Sequence, residues 1–171
     1  MLAYPRYAEA GARIDAPALD VFGFLDDHNN LASHMREPSA MMLGSRMEIY
    51  FDEARARSVG SRFGLRGAIF GIPLRVDEVV TERELPRRKV WETIGEPCLW
   101  VIGRYRMGFE ITPHSGGTHL LVYIEYAPPA RGFARVLGAL FGRFYAKWCT
   151  TRMVNDAEQH IAQLKALTSL A

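Results

Sequence analysis

Residues 131–149 read RGFARVLGALFGRFYAKWC, and their spacing decides the fold. Phe133, Leu137, Leu140, Phe141, Phe144, Tyr145 and Trp148 recur at three- and four-residue steps, the period of an α-helix with one apolar side. The pattern continues, more polar, through Met153, Ala157, Ile161, Leu164 and Leu167, and no proline interrupts it between Arg131 and Leu170. The spacing predicts one long amphipathic helix over 131–170. Such a helix needs an apolar surface to lie on.

Upstream the period is two. Met47, Ile49 and Phe51 alternate with Glu48, Tyr50 and Asp52, and Phe63, Leu65 and Ile69 with Arg62, Arg66 and Phe70. Gly64, Gly67 and Gly71 within the second run mark bends of the kind a curling sheet needs. Further strands are expected over 74–84, 89–94, 99–112 and 118–127. They are separated by Leu85-Pro86-Arg87, Gly95-Glu96-Pro97 and Pro113-His114-Ser115-Gly116-Gly117. A first strand is expected over 7–14. Asp15-Ala16-Pro17 then starts a helix, with Asp15 able to cap it and Pro17 suited to a first turn. Residues 26–30 break that helix, 31–35 read as a second short one, and Glu37-Pro38 ends it. In the 99–112 segment Val101, Tyr105, Met107, Phe109 and Ile111 form the more apolar face and are expected inward, with Gly103 leaving a gap. Trp100, Ile102, Arg104, Arg106 and Glu110 then face out; the opposite orientation would carry two arginines inside and favour an anionic ligand.

Composition narrows the classes. At 171 residues, 49% hydrophobic and 23% charged, the chain is expected to be a single soluble domain, 1–171. A net charge of +2, from basic residues spread along the chain, argues against a nucleic-acid partner. Cys98 and Cys149 lack zinc-finger or disulfide-framework spacing and are expected to be reduced and buried. The apolar tract 133–149 contains Arg135, Arg143 and Lys147 and falls short of the ~20 residues of a membrane span. With no secretory pattern at Met1–Arg6, the cytoplasm is the expected location. His28, His34, His114, His119 and His160 show no helical metal-pair spacing, and serine-nucleophile and phosphate-loop motifs are lacking, so no metal or cofactor is expected. Asp26, Asp27, Glu92 and Glu125 could each serve as an acid or base if buried, but no spacing selects one.

The element order resembles the START-like, or SRPBCC, superfamily of helix-grip proteins, which includes polyketide cyclase and dehydrase relatives. Ile14-Asp15-Ala16-Pro17 followed by Val21-Phe22-Gly23-Phe24-Leu25-Asp26-Asp27 is similar to that family's passage from first strand to first helix. Val59-Gly60-Ser61, Val76-Asp77-Glu78-Val79-Val80 with Pro86 after it, and Gly116-Gly117-Thr118 fill the expected later places. The resemblance implies an α+β helix-grip fold: a seven-stranded curved antiparallel sheet around the C-terminal helix, with two short helices after the first strand. It also implies a cavity between sheet and helix. Candidate lining residues are Phe63, Leu65, Trp91, Tyr105, Met107, Phe109, Tyr126, Leu137, Phe141, Phe144, Tyr145 and Trp148, with Met41 and Met42 at the mouth. Met35 and Met47 extend that adaptable methionine-rich stretch.

The expected function is binding of an apolar, lipid-like or aromatic small molecule. A cyclase, aromatase or dehydratase using the same cavity is the alternative, with no catalytic residue carried over. An interaction module built on the helix or an edge strand is a third reading, and the chain is expected to be a monomer or homodimer.

Overall fold

The computed structural model describes residues 4–31, 47–69, 72–130 and 132–169. The elements run β1 (Arg6–Ile14), α1 (Ala18–Asp26), α2 (His28–Leu31), β2 (Met47–Phe51), β3 (Arg62–Ile69), β4 (Ile72–Glu84), β5 (Arg88–Thr93), β6 (Tyr105–His114), β7 (Gly117–Tyr126) and α3 (Gly132–Thr168). All seven strands form one antiparallel sheet in the order β1-β7-β6-β5-β4-β3-β2. This is the expected helix-grip architecture. Sequential hairpins build the sheet from β2 to β7, and β1 closes its far edge against β7.

Period-two alternation gives the sheet one apolar face. Register places Phe63 opposite Glu78, Glu78 opposite Thr93, and Trp91 opposite Met107. Met107 lies in turn opposite Ile124, and Ile124 opposite Ala8. These side chains share the inner face and are all buried. The outer face carries charge: Arg106 pairs with Glu82 and Glu125, and Arg88 with Glu82 and Glu110. A register shift between Val80 and Glu82 interrupts the β4–β5 ladder and supplies one irregularity of the kind that bends a sheet. Gly64 serves a different need. A Cβ there would collide with the Tyr50 hydroxyl and the Val76 carbonyl oxygen, so β2 and β4 approach over it.

Several details differ from the sequence expectations. Segment 99–104 is not strand, and β6 begins only at Tyr105. Alternation therefore fails there: Ile102, expected outward, is buried, while Val101 is half-buried. Gly103 leaves no gap, since its backbone sits against the carbonyls of Ala127 and Pro128. Asp15 does not cap α1. Pro17 occupies the N-cap without a side-chain bond, and Asp15 pairs with Lys165 near the end of α3. The second short helix is His28–Leu31, and 32–35, Met41, Met42 and Gly71 lie outside the described residues. Cys98 is exposed rather than buried, its backbone bridged to Arg75, whereas Cys149 is buried.

The terminal helix packs chiefly on β1 and β7. Its buried side is made of small residues first, Gly138, Gly142 and Ala146, then Cys149, Thr150, Met153, Val154, Ala157 and Ile161. Facing them, β1 offers Ala8, Ala10 and Ala12 on its inner face. Small against small lets the backbones approach. A Cβ on Gly142 would lie 2.8 Å from the Val101 carbonyl oxygen, and one on Gly138 would lie 3.0 Å from the same atom.

Candidate functional site

Most of the strand residues expected to line an interior lie inside. Phe63, Leu65, Trp91, Tyr105, Met107, Phe109 and Tyr126 are all buried, on β3, β5, β6 and β7. The helix residues divide. Tyr145 and Trp148 are half-buried, lie tilted against each other with centroids 5.9 Å apart, and pack against the core. Leu137 is half-buried, but Phe141 and Phe144 are exposed. Those two do not sit with the other aromatics, because the glycine side of α3 takes the inner position. Arg104 and Arg106 face the charged side, paired to Glu96 and to Glu82.

At the centre of the buried set stands Glu78, which the sequence reading did not single out. Its side chain is 2% exposed, on β4 between Val76 and Val80. The Tyr105 hydroxyl donates to its Oε1 at 2.7 Å, reaching over β5 from β6. The Tyr105 backbone amide is held by Thr93 Oγ1, the residue paired with Glu78 on β5. Burial drives the Glu78 carboxyl up to about 8, against hydrogen bonds from Tyr105 and Trp91 that favour its charged form. At neutral pH it is a protonated acid with a hydrogen of its own to donate. Burial also holds the Tyr105 and Tyr145 hydroxyls well above their usual value, and pushes the Cys149 thiol up to about 12. Tyr145 bonds to Cys149 on the same helix, and ionising Glu78 would raise its hydroxyl further.

A second buried polar group pins the short helices to the sheet. Lys89 on β5 is fully buried, and its ammonium donates to the Asp26 carbonyl at 2.9 Å, to Asp26 Oδ1 at 2.8 Å and to His28 Nδ1 at 3.2 Å. Arg83 adds two hydrogen bonds to the same carboxylate. Burial lowers Lys89 to about 8, with Asp26 pulling the other way. Burial raises Asp26, but the bonds from Arg83 and Lys89 outweigh it and hold the carboxyl below its usual range. Because an ammonium can only donate, His28 Nδ1 accepts and Nε2 carries the hydrogen. That Nε2 has no hydrogen-bond partner among the described residues. The His28 ring lies 4.1 Å from the Phe63 ring and 4.9 Å from that of Trp91, which also bonds to Glu78. Burial, then the neighbouring Lys89 charge, keeps His28 neutral.

Of the acids named from sequence, only Asp26 is buried, and it is committed to Lys89 and Arg83. Asp27 accepts from Asn29, and Glu125 pairs with Arg106 on the charged face. Glu78 and Lys89 each carried one available signal: Glu78 sits in phase with Val76 and Val80 on β4, and Lys89 with Trp91 on β5. No group of three metal-binding side chains occurs among the described residues.

No protein-family model matches the chain, and no curated protein sequence matches it. Solved structures do match in shape. TTHA0849 from Thermus thermophilus superposes with a TM-score of 0.65 at 16% identity, covering 93% of this chain and 99% of that one. The aromatase/cyclase ZhuI from Streptomyces sp. R1128 gives 0.62 at 16% identity, covering 92% and 94%. Thalictrum flavum norcoclaurine synthase, as a point mutant with a transition-state analogue, gives 0.61 at 14% identity, covering 94% and 96%. The helix-grip fold is shared with these structures.

Proposed function

We propose that the protein binds an apolar small molecule, aromatic or lipid-like, between the inner sheet face and α3. The observation that carries this reading is Glu78. A mainly apolar face keeps a protonated carboxyl at its centre, held by Tyr105 and flanked by Trp91. An aliphatic residue there would avoid the desolvation cost, so the acid is explained by a ligand atom it can donate to. Small-molecule sites combine apolar walls with a few convergent polar groups, and Glu78, Tyr105 and the His28 Nε2 hydrogen fit that description. With this reading goes a single-domain cytoplasmic monomer or homodimer. Native mass spectrometry of the purified protein should show a co-purified small molecule. Titration with an environment-sensitive naphthalene dye should give saturable binding that Glu78→Leu weakens. A protein that carries no ligand and takes up no dye in its folded state refutes the proposal.

A catalytic reading, cyclase, aromatase or dehydratase, is favoured by the same carboxyl. A group poised near 8 can lend a proton to a departing hydroxyl and recover it from the adjacent carbon, with Tyr105 orienting it. The aromatase/cyclase neighbour makes ring-forming substrates, polyketide-like ones among them, the first to test. Glu78→Gln should then abolish turnover while retaining binding.

A further inference from the structure

The first half of α3 is inside out. It buries Gly138, Gly142 and Ala146, half-buries Tyr145 and Trp148, and exposes Phe133, Val136, Leu140, Phe141 and Phe144. Phe133 is 74% exposed and Phe144 62%. Their three- and four-residue spacing makes one continuous apolar stripe along several turns. Each such side chain left in water forgoes a stabilisation that burial would supply, so a stripe of this extent marks a contact surface.

We propose that this stripe docks the protein on an anionic phospholipid surface, the helix lying in the plane of the headgroups. Charge selects the occupant. Arg135, Arg143 and Lys147 are exposed on this half of the helix, and no Asp or Glu occurs between Glu125 and Asp156. An apolar face rich in phenylalanine and leucine, accompanied only by basic residues, is the composition of an interfacial helix. A second copy meeting the same face would set these cations against their own counterparts. From Phe133 to Lys147 the helix extends about 21 Å, short of the ~30 Å hydrocarbon core. No helix among the described residues is long and apolar enough to cross a membrane. The stripe can lie on a bilayer without spanning it.

The proposal stands apart from the ligand reading and is tested on the full chain by co-sedimentation with vesicles. Vesicles of equal parts phosphatidylcholine and phosphatidylglycerol should carry the protein down. Phosphatidylcholine alone, or the mixture in high salt, should bind about a hundredfold more weakly, as loss of three cation contacts implies. Phe133→Ser/Leu140→Ser, both at exposed positions, should keep the parent circular dichroism and lose the binding. Arg135→Glu/Arg143→Glu should lose the preference for the anionic mixture. The proposal is overturned if neither vesicle binds the parent, or if the serine variant binds as well as the parent. It is equally overturned if the parent is a dimer that binds no vesicle and the serine variant is a monomer.

Discussion

Tyr105 and Glu78 meet at 2.7 Å across an intervening strand, a phenol donating to a carboxylic acid inside the protein. They are separated by 27 residues in sequence, and β5 lies between their strands. The contact places an ionisable pair at the middle of the apolar face.

Folding therefore takes up a proton at Glu78. The unfolded carboxyl releases it near 4.5 and the buried one holds it to about 8. The stability this group contributes is complete below pH 4.5 and is lost as the pH rises to about 8. Glu78→Gln stays neutral and still accepts from Tyr105, so its stability relative to the parent should grow across that window, by ~4–5 kcal/mol. Urea unfolding at both ends of the window checks this. Parallel pH profiles for the two proteins would contradict it.

Lys89→Met removes the central donor of the buried cluster and leaves Asp26 to Arg83 alone. Breaking a buried pair by removing one partner is costly, and the Asp26 carbonyl and His28 Nδ1 lose their donor as well, so a loss of ~3–5 kcal/mol is expected in thermal or denaturant unfolding. Asp26→Asn combined with Lys89→Met should recover part of that loss, since the one charge then left at the site is that of Arg83, which is partly open to solvent.

Phe109 packs edge-on against Phe22 at 5.4 Å and against Trp91 at 6.4 Å, with no exposure. Phe109→Ala should destabilise by ~3–5 kcal/mol. The same change at exposed Phe144 should stay within about 0.5 kcal/mol. A similar cost at both positions would show that the outward side of α3 is covered in the folded protein.

Gly142→Ala tests the tight seat of the helix. In an open helix the change is worth roughly 0.5–1 kcal/mol of stabilisation. Here the new carbon meets the Val101 carbonyl oxygen at 2.8 Å, a backbone atom that cannot swing aside. Net destabilisation of ~1–3 kcal/mol is expected by calorimetry. A raised melting temperature would mean that the 99–104 segment yields easily.

The succession of strands along the chain was legible because the breaks carry Gly or Pro, as at Leu85-Pro86-Arg87 and Gly116-Gly117, and most strands alternate. The inner face of β6 was legible for the same reason from Tyr105 onward. It failed at Ile102, where the chain is irregular and no period exists to read. Glu78 and Lys89 escaped notice because residue type argues for the surface, and only the partners Tyr105 and Asp26 make their burial tolerable.

Local periodicity and turn chemistry were enough to place most strands, their succession along the chain and one long terminal helix. Only tertiary structure decided which side of that helix faces in. The stretch at 131–149 offers both a glycine–alanine side and an aromatic one, and hydrophobicity alone selects the aromatic. Close approach to the small residues of β1 and to the backbone at Val101 selects the glycines. Packing distance outweighed apolar area, and the large side chains were left for another surface.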